Sequence, residues 1–183
     1  MGQLLKSEQI VYTETSQLPV KVEDFLGGGG QGEVYRALMG GAPVALKWYF
    51  PSSATPEQRA GLVTLIKRGA PSDRFLWPIE LVSDSARRDF GYVMPLRDPR
   101  FKGLVDLMKR RVDPSFRALA TAGFQLADSF FQLHAKGLCY RDISFGNVFF
   151  DPTSGDVLIC DNDNVAVDGE VEGGVLGTPR FMA

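Results

Sequence analysis

Residues 20–50 read VKVEDFLGGGGQGEVYRALMGGAPVALKWYF and contain three strand-like runs. The first, 20–26, enters Gly27-Gly28-Gly29-Gly30-Gln31-Gly32; the second, 33–39, stops at Gly40-Gly41; the third covers 44–50. A two-glycine turn between β-rich runs signals a hairpin, because glycine tolerates the positive φ such turns require. The first third of the chain therefore reads as antiparallel sheet. Working outward, Thr55-Pro56-Glu57 has the order of a helix start: a capping hydroxyl, a proline in the first turn and an acid favoured by the helix dipole. Leu62, Val63, Leu65 and Ile66 supply an apolar side to that helix, and Gly69 with Pro71 ends it. Further strands are expected at 79–82 and 92–96.

The middle third turns helical. Asp113-Pro114 opens a helix whose apolar or small residues, Phe116, Leu119, Ala120, Gly123, Phe124, Ala127, Phe130 and Phe131, recur at offsets of three and four. That spacing predicts one broad stripe against a core, with His134 on the same face in a structural role. Short strands follow at 148–150 and 157–160, separated by the turn Asp151-Pro152-Thr153-Ser154-Gly155. A Gly- and acid-rich loop spans 162–177, and the chain has no internal repeat.

Composition bounds the function. With 183 residues, 44% hydrophobic and 23% charged, the chain has the profile of a soluble globular protein with a real core. Twenty Lys plus Arg against 22 Asp plus Glu give a net charge of −2, which supplies no excess to attract nucleic acid or an anionic membrane surface. Two cysteines, Cys139 and Cys160, and the single His134 cannot build a disulfide framework or a four-ligand zinc site, so a cytoplasmic protein is expected. No run approaches the ~18 apolar residues of a membrane span, and no secretory signal opens the chain. Met1-Gly2 is followed by Lys6 where a myristoylation motif wants Ser or Thr, so an unmodified N-terminus is expected.

Five motifs carry chemistry. Gly27, Gly29 and Gly32 form G-x-G-x-x-G, but a strand rather than a helix follows, and no Lys succeeds the last glycine. This excludes the Rossmann and Walker loops and leaves a glycine hairpin whose N–H groups can close over phosphates, with Val34 against a flat apolar ligand. Lys47, in Val44-Ala45-Leu46-Lys47, lies in an apolar strand, where an ammonium is costly to bury unless an anion meets it; a half-exposed, solvated Lys is the plainer reading. The third motif is Tyr140-Arg141-Asp142-Ile143-Ser144-Phe145-Gly146-Asn147. The fourth is an apolar strand ending in Asp161-Asn162-Asp163, and the fifth is Gly177-Thr178-Pro179-Arg180-Phe181-Met182-Ala183.

In this order the motifs resemble those of the protein kinase superfamily, in a divergent bacterial Ser/Thr form, over about residues 20–183. The resemblance implies an α+β, two-lobed protein kinase-like fold. It would comprise an N-terminal extension, 1–19, a β-rich N-lobe, 20–95, and a partial helical C-lobe, 96–183, with the chain ending inside the activation segment. It implies ATP- and Mg2+-dependent phosphoryl transfer to Ser/Thr of a protein substrate. Gly27, Gly29 and Gly32 would cover the ATP phosphates and Lys47 would hold two of them; Asp142 would orient the acceptor hydroxyl; Asn147 and Asp161 would bind magnesium. Val34, Ala45 and Phe149 would enclose adenine, with Met94 as gatekeeper, Pro95 giving a carbonyl and Arg97 an N–H. Similar bacterial kinases suggest a PP2C-type phosphatase and a von Willebrand A-domain protein as partners.

Four departures from the family pattern bear on that function. No acid occurs from 58 to 72, so Glu57, with either a Lys47-pairing or a plain helix-dipole role, is the only candidate partner for Lys47. Asn162 replaces the usual Phe, Tyr140 the usual His and Ser144 a common Lys. The missing helix acid, Asn162 and Ser144 support an alternative reading as a pseudokinase, a nucleotide-binding or interaction scaffold. A small-molecule kinase of the choline or aminoglycoside type is the lesser alternative.

Overall fold

The computed structural model describes residues 3–84 and 89–169; Gly2, the Arg87-Arg88 pair and the run 177–183 lie outside the described residues. The chain divides into two compact units, Met1–Gly69 with Trp77–Leu96, and Ala70–Leu76 with Arg97–Ala183.

The first unit is built from strands β1 (Ile10–Thr13), β2 (Pro19–Gly28), β3 (Gly32–Met39), β4 (Ala42–Tyr49), β5 (Glu80–Ser83) and β6 (Phe90–Pro95), with helix α1 (Pro56–Arg68). Alternation decides its inside. In β2, Val20 and Val22 are buried while Lys21 and Glu23 between and after them are not, the period-two pattern of a sheet with one core face. The same rule sends Tyr35 and Ala37 of β3 and Val44, Leu46 and Trp48 of β4 into one cluster with Val11, Val82 and Val93. Each large apolar side chain taken from water there contributes roughly 1.5–3 kcal/mol. Polar tips within it are met: the Trp48 indole donates to Asp89 at 2.8 Å, and the Tyr35 hydroxyl donates to Glu33 while accepting from the Leu5 amide. Gly40 and Gly41 both take positive φ, 57° and 86°, in the turn joining β3 to β4, as the two-glycine signal predicts.

The strands run β1-β2-β3-β4-β6-β5, and β1 then pairs with β5 through Tyr12↔Ser83 and Thr13↔Val82, closing an antiparallel barrel. This corrects the two-lobed, kinase-like α+β expectation: the described residues instead form a mostly β architecture that includes a closed six-strand barrel, with only three α-helices among them. The physical reason is that the motifs report local turns and strands, whereas closure depends on a pairing between residues far apart in sequence. Leu5, Val11 and Thr13 are fully buried and β1 is a barrel stave, so the stretch ahead of Val20 supplies part of the core of this unit.

Helix α1 begins as its sequence predicts. The Thr55 hydroxyl accepts from the Gln58 amide, Pro56 opens the first turn, and Gly69 follows with φ 70°.

The second unit holds β7 (Lys102–Gly103), α2 (Leu104–Met108), α3 (Phe116–Ala135), β8 (Leu138–Tyr140), β9 (Val148–Phe150), β10 (Val157–Ile159), a short 3-10 turn (Asn162–Asn164) and β11 (Val165–Val167). Strands β10, β9 and β7 form one small sheet, and β11 pairs with β8. The predicted stripe of α3 is not what this helix buries: Ala118, Ser129 and Leu133 are inside, while Phe116, Phe124 and Phe131 are 87%, 72% and 70% exposed. The buried side is chosen by a close approach. A Cβ on Gly155 would stand 2.3 Å from the Ala118 carbonyl oxygen, so the 151–155 turn sits directly on that face. Gln125 reinforces it, donating to Asp156 at 3.1 Å and accepting from the Val157 amide at 3.0 Å. His134, expected on a core face, is exposed in the last turn of α3. Among the described residues no helix is long and apolar enough to cross a membrane.

Glu80 ties the β1–β2 turn to β5 by accepting from the amides of Thr15 and Ser16 and from the Ser16 hydroxyl at 2.7, 2.6 and 2.8 Å. Burial alone would raise its pKa, but the Ser16 and Thr15 hydrogen bonds outweigh burial and hold it below the ordinary glutamate value. A depressed folded-state pKa means stabilisation present above the unfolded value and lost as pH falls through the folded one. Glu80→Gln should cost about 1 kcal/mol at pH 7 after solvent screening. Urea titrations of both proteins should show that difference shrinking as the pH is taken below the glutamate range; a constant difference would refute the linkage.

Candidate functional site

In the first unit the pairing register aligns several predicted ligand residues. Gly27 faces Val34, Val34 faces Lys47, and Lys47 faces Tyr92 across β2, β3, β4 and β6. The neighbouring row sets Arg36 opposite Ala45 and Ala45 opposite Met94. Because Val44, Leu46 and Trp48 point into the barrel, alternation places Ala45 and Lys47 on its outer face with Val34 and Met94. Lys47 is only 4% exposed there. Its ammonium lies 3.5 Å from the Gln31 side-chain oxygen and 5.6 Å from the Tyr49 ring centroid. Gln31 belongs to the glycine turn, and its contact with Lys47 is a feature the motif reading missed. Pro95 ends β6 opposite Val44 and is exposed.

The glycines of the turn differ in what they do. A Cβ on Gly32 would lie 2.2 Å from the Trp48 carbonyl oxygen, so the β3–β4 approach requires glycine there. Gly27 and Gly29 have nothing within 4 Å of such a Cβ, and neither has positive φ. The fold makes no steric or dihedral demand for them.

Glu57 takes the helix-dipole role. It is exposed, and its carboxyl lies below the usual glutamate range because its own backbone N–H and the Thr55 hydroxyl bond the carboxylate at the helix start.

The second unit gathers the acidic and amide residues. Asn147 Nδ2 donates to the Asp142 carbonyl at 2.8 Å and lies 3.4 Å from its carboxylate; the Asn147 carbonyl accepts from the Cys160 amide at 2.9 Å. One connected path of polar contacts therefore links Asp142, Asn147 and the residue preceding Asp161. Asp161 is left-handed, φ 55° and ψ 40°, and partly exposed, whereas Asn162, Asp163 and Asn164 after it are 0%, 7% and 6% exposed.

Two of the four departures, Tyr140 and Asn162, make bonds here that the sequence did not predict. Tyr140 donates its hydroxyl to the Cys160 carbonyl at 2.5 Å. Burial first, then the charges of Asp161, Cys160, Asp163 and Asp142, push its phenol above the ordinary value, so it stays a donor. Asn162 sends Nδ2 to the carbonyls of Leu76 and Ile159, each at 2.9 Å. Burial pushes the Cys160 thiol up to about 12, which removes it as a nucleophile. The Arg97 guanidinium sits 4.4 Å from the Phe149 ring centroid and donates to the Phe101 carbonyl at 2.6 Å, so one face of that ring is covered by a cation.

The oxygen donors of Asp161 and Asn147 suit magnesium, which takes one or two protein ligands and completes its shell with water and phosphate oxygens. Among the described residues no cluster of three or more His, Cys, Asp or Glu could hold a metal unaided.

No family model matches the chain, and no curated protein matches it. Together with the closed barrel, this overturns the kinase-superfamily membership that the motif resemblance implies: short motifs of common residue types in turns and strand ends do not establish ancestry. The predicted 162–177 loop from residue 170 onward and the Gly177-Thr178-Pro179-Arg180-Phe181-Met182-Ala183 run fall outside the described residues.

Gly32→Ala should lower stability by more than about 2 kcal/mol, because the new methyl meets backbone that cannot yield. Gly29→Ala should change it by under about 0.5 kcal/mol. Urea denaturation of the two variants checks both; equal losses would show that the open positions around Gly29 are misassigned.

Proposed function

We propose that the chain binds ATP with magnesium and transfers the γ-phosphoryl group to Ser or Thr hydroxyls of a protein substrate. The observation that carries this reading is the hydrogen-bonded path Asp142–Asn147–Cys160, which holds a carboxylate and an amide in register with the turn bearing Asp161. Phosphoryl transfer asks little covalent chemistry of a protein, so placed charge and a placed acceptor supply most of the rate. Asp142 accepts the proton of the attacking hydroxyl as its oxygen bonds to phosphorus, and the bond from phosphorus to the bridging oxygen of the departing ADP breaks. Magnesium, when bound, neutralises charge on the phosphates; Asn147 and Asp161 supply its protein oxygens.

The outer face of the barrel supports the nucleotide half of the reading. Lys47 offers a buried ammonium to phosphate oxygens, and the turn at Gly27 and Gly29 leaves open space at the Cβ positions, as a backbone meant to approach phosphates would. Val34, Ala45 and Met94 give the same face apolar side chains for a flat base. Both cysteines are free, which fits a reducing, cytoplasmic compartment. The phosphatase and A-domain partners rested on the family resemblance alone and are not proposed.

A second reading, nucleotide binding without transfer, is favoured by one observation: Glu57, the candidate partner for Lys47, is exposed and serves the start of its helix.

Transfer from γ-labelled Mg·ATP to a Ser/Thr protein mixture, with thermal melting alongside, separates these. Asp142→Asn should lower transfer at least ~100-fold while Mg·ATP still raises the melting temperature. Lys47→Met should shrink that rise. Undiminished transfer by Asp142→Asn refutes the first reading; a melting shift with no transfer by the parent establishes the second.

A further inference from the structure

The turn after β10 is held more firmly than its length requires, and by unusual residues. Asp161 is a non-glycine residue in the left-handed region, a conformation uncommon for most side chains that aspartate adopts more readily than others. On its N-terminal side the Cys160 peptide is fixed at both ends, its N–H by the Asn147 carbonyl at 2.9 Å and its carbonyl by the Tyr140 hydroxyl at 2.5 Å. On its C-terminal side Asn162 is fully buried and bonds the carbonyls of Leu76 and Ile159. Those acceptors lie on paired backbone, since the Leu76 amide donates to the Ile159 carbonyl and the Ile159 amide to the Arg74 carbonyl.

Stability alone does not select this arrangement. The Asn162 Oδ1 is buried with no hydrogen-bond partner among the described residues, and a buried unsatisfied acceptor is costlier than an apolar side chain of similar size. Such a local exception is expected where a neighbouring group must be aimed. The neighbour is Asp161, the partly exposed residue ahead of three buried ones.

We propose that Tyr140 and Asn162 are positioning residues that clamp the peptide groups on either side of Asp161 and so aim its carboxylate at the cation of a metal–nucleotide complex. The inference rests on the nucleotide reading above and adds two residues to it. Neither side chain touches the nucleotide. Tyr140 acts through the Cys160 carbonyl, and Asn162 acts by anchoring the start of the 3-10 turn to the 74–76 segment.

Two variants test the clamp in the full chain. Tyr140→Phe removes one oxygen and keeps the ring against Phe130, whose centroid is 5.9 Å away; Asn162→Leu removes the amide at similar volume. Should Asn162→Leu not fold, Tyr140→Phe decides alone. Native-state hydrogen exchange should show the Cys160 and Asn164 amides opening about tenfold faster, with α3 unchanged. With a fluorescent ATP analogue, the magnesium concentration for half-maximal tightening should rise about tenfold, while affinity without magnesium stays within about twofold. A purely structural role would move both affinities together or neither. Unchanged local exchange, or an unchanged magnesium requirement, overturns the clamp. Failure of the unmutated chain to bind the analogue overturns the nucleotide reading, and the positioning role with it; that failure is distinct because it precedes any substitution.

Discussion

Pairing of β1 with β5 is the constraint on which the first unit depends. Without Tyr12↔Ser83 and Thr13↔Val82 the six strands would be an open sheet with two free edges. With them, every strand has two neighbours and the inner face is fully enclosed. Period-two alternation then leaves no choice at β4: once Val44, Leu46 and Trp48 are committed to the interior, Ala45, Lys47 and Tyr49 must face outward. The chemistry-bearing lysine is therefore placed by the packing of its apolar neighbours. A one-residue slip of β4 would put an ammonium into the barrel and a tryptophan outside it, so register of the core and placement of Lys47 are one requirement.

The second unit obtains its precision differently, from side-chain and backbone hydrogen bonds. Strands β8, β9, β10 and β11 have three residues each and cannot alone fix the loop ends that carry Asp142, Asn147 and Asp161. Polar side chains take over that work: Asn147 to Asp142, Tyr140 to Cys160, Asn162 to Leu76 and Ile159. Such networks are exacting, because a half-satisfied member costs more than an apolar one. They also have sharper geometry than dispersion contacts, which suits a carboxylate that must meet a cation at a defined distance.

What the sequence disclosed follows from the range of the forces involved. The Gly40-Gly41 hairpin and the Thr55–Pro56 helix start are local, each determined within a few residues, and both were legible. Closure was not, because Tyr12 and Ser83 carry no mark of one another. The α3 face was misread for a related reason. Phe116, Phe124 and Phe131 outweigh Ala118 in any periodicity, yet the 151–155 turn packs against the Ala118 backbone, so closely that position 155 must be glycine. Close approach selected the buried side over hydrophobicity. In the candidate site, residue types were readable and partners were not: Tyr140 and Asn162 were visible in the sequence, but only the structure shows that one bonds the Cys160 carbonyl and the other the carbonyls of Leu76 and Ile159.

The directed bonds of Asn162 decide how the Asp161 turn can move. An apolar side chain beneath a turn can slide among rotamers at small cost, since its contacts are many and individually weak. Asn162 instead makes two bonds at 2.9 Å to carbonyls held by backbone pairing, and leaving them would strand a buried amide nitrogen beside an oxygen that has no partner among the described residues. Movement is all-or-none on that account: the turn keeps both bonds, or it opens to water and loses them together. The left-handed Asp161, φ 55°, belongs to the closed alternative, in which the Cys160 carbonyl ahead of it and the Asn162 amide after it are both held. The polar clamp thus converts a turn that could drift into one with a single defined arrangement.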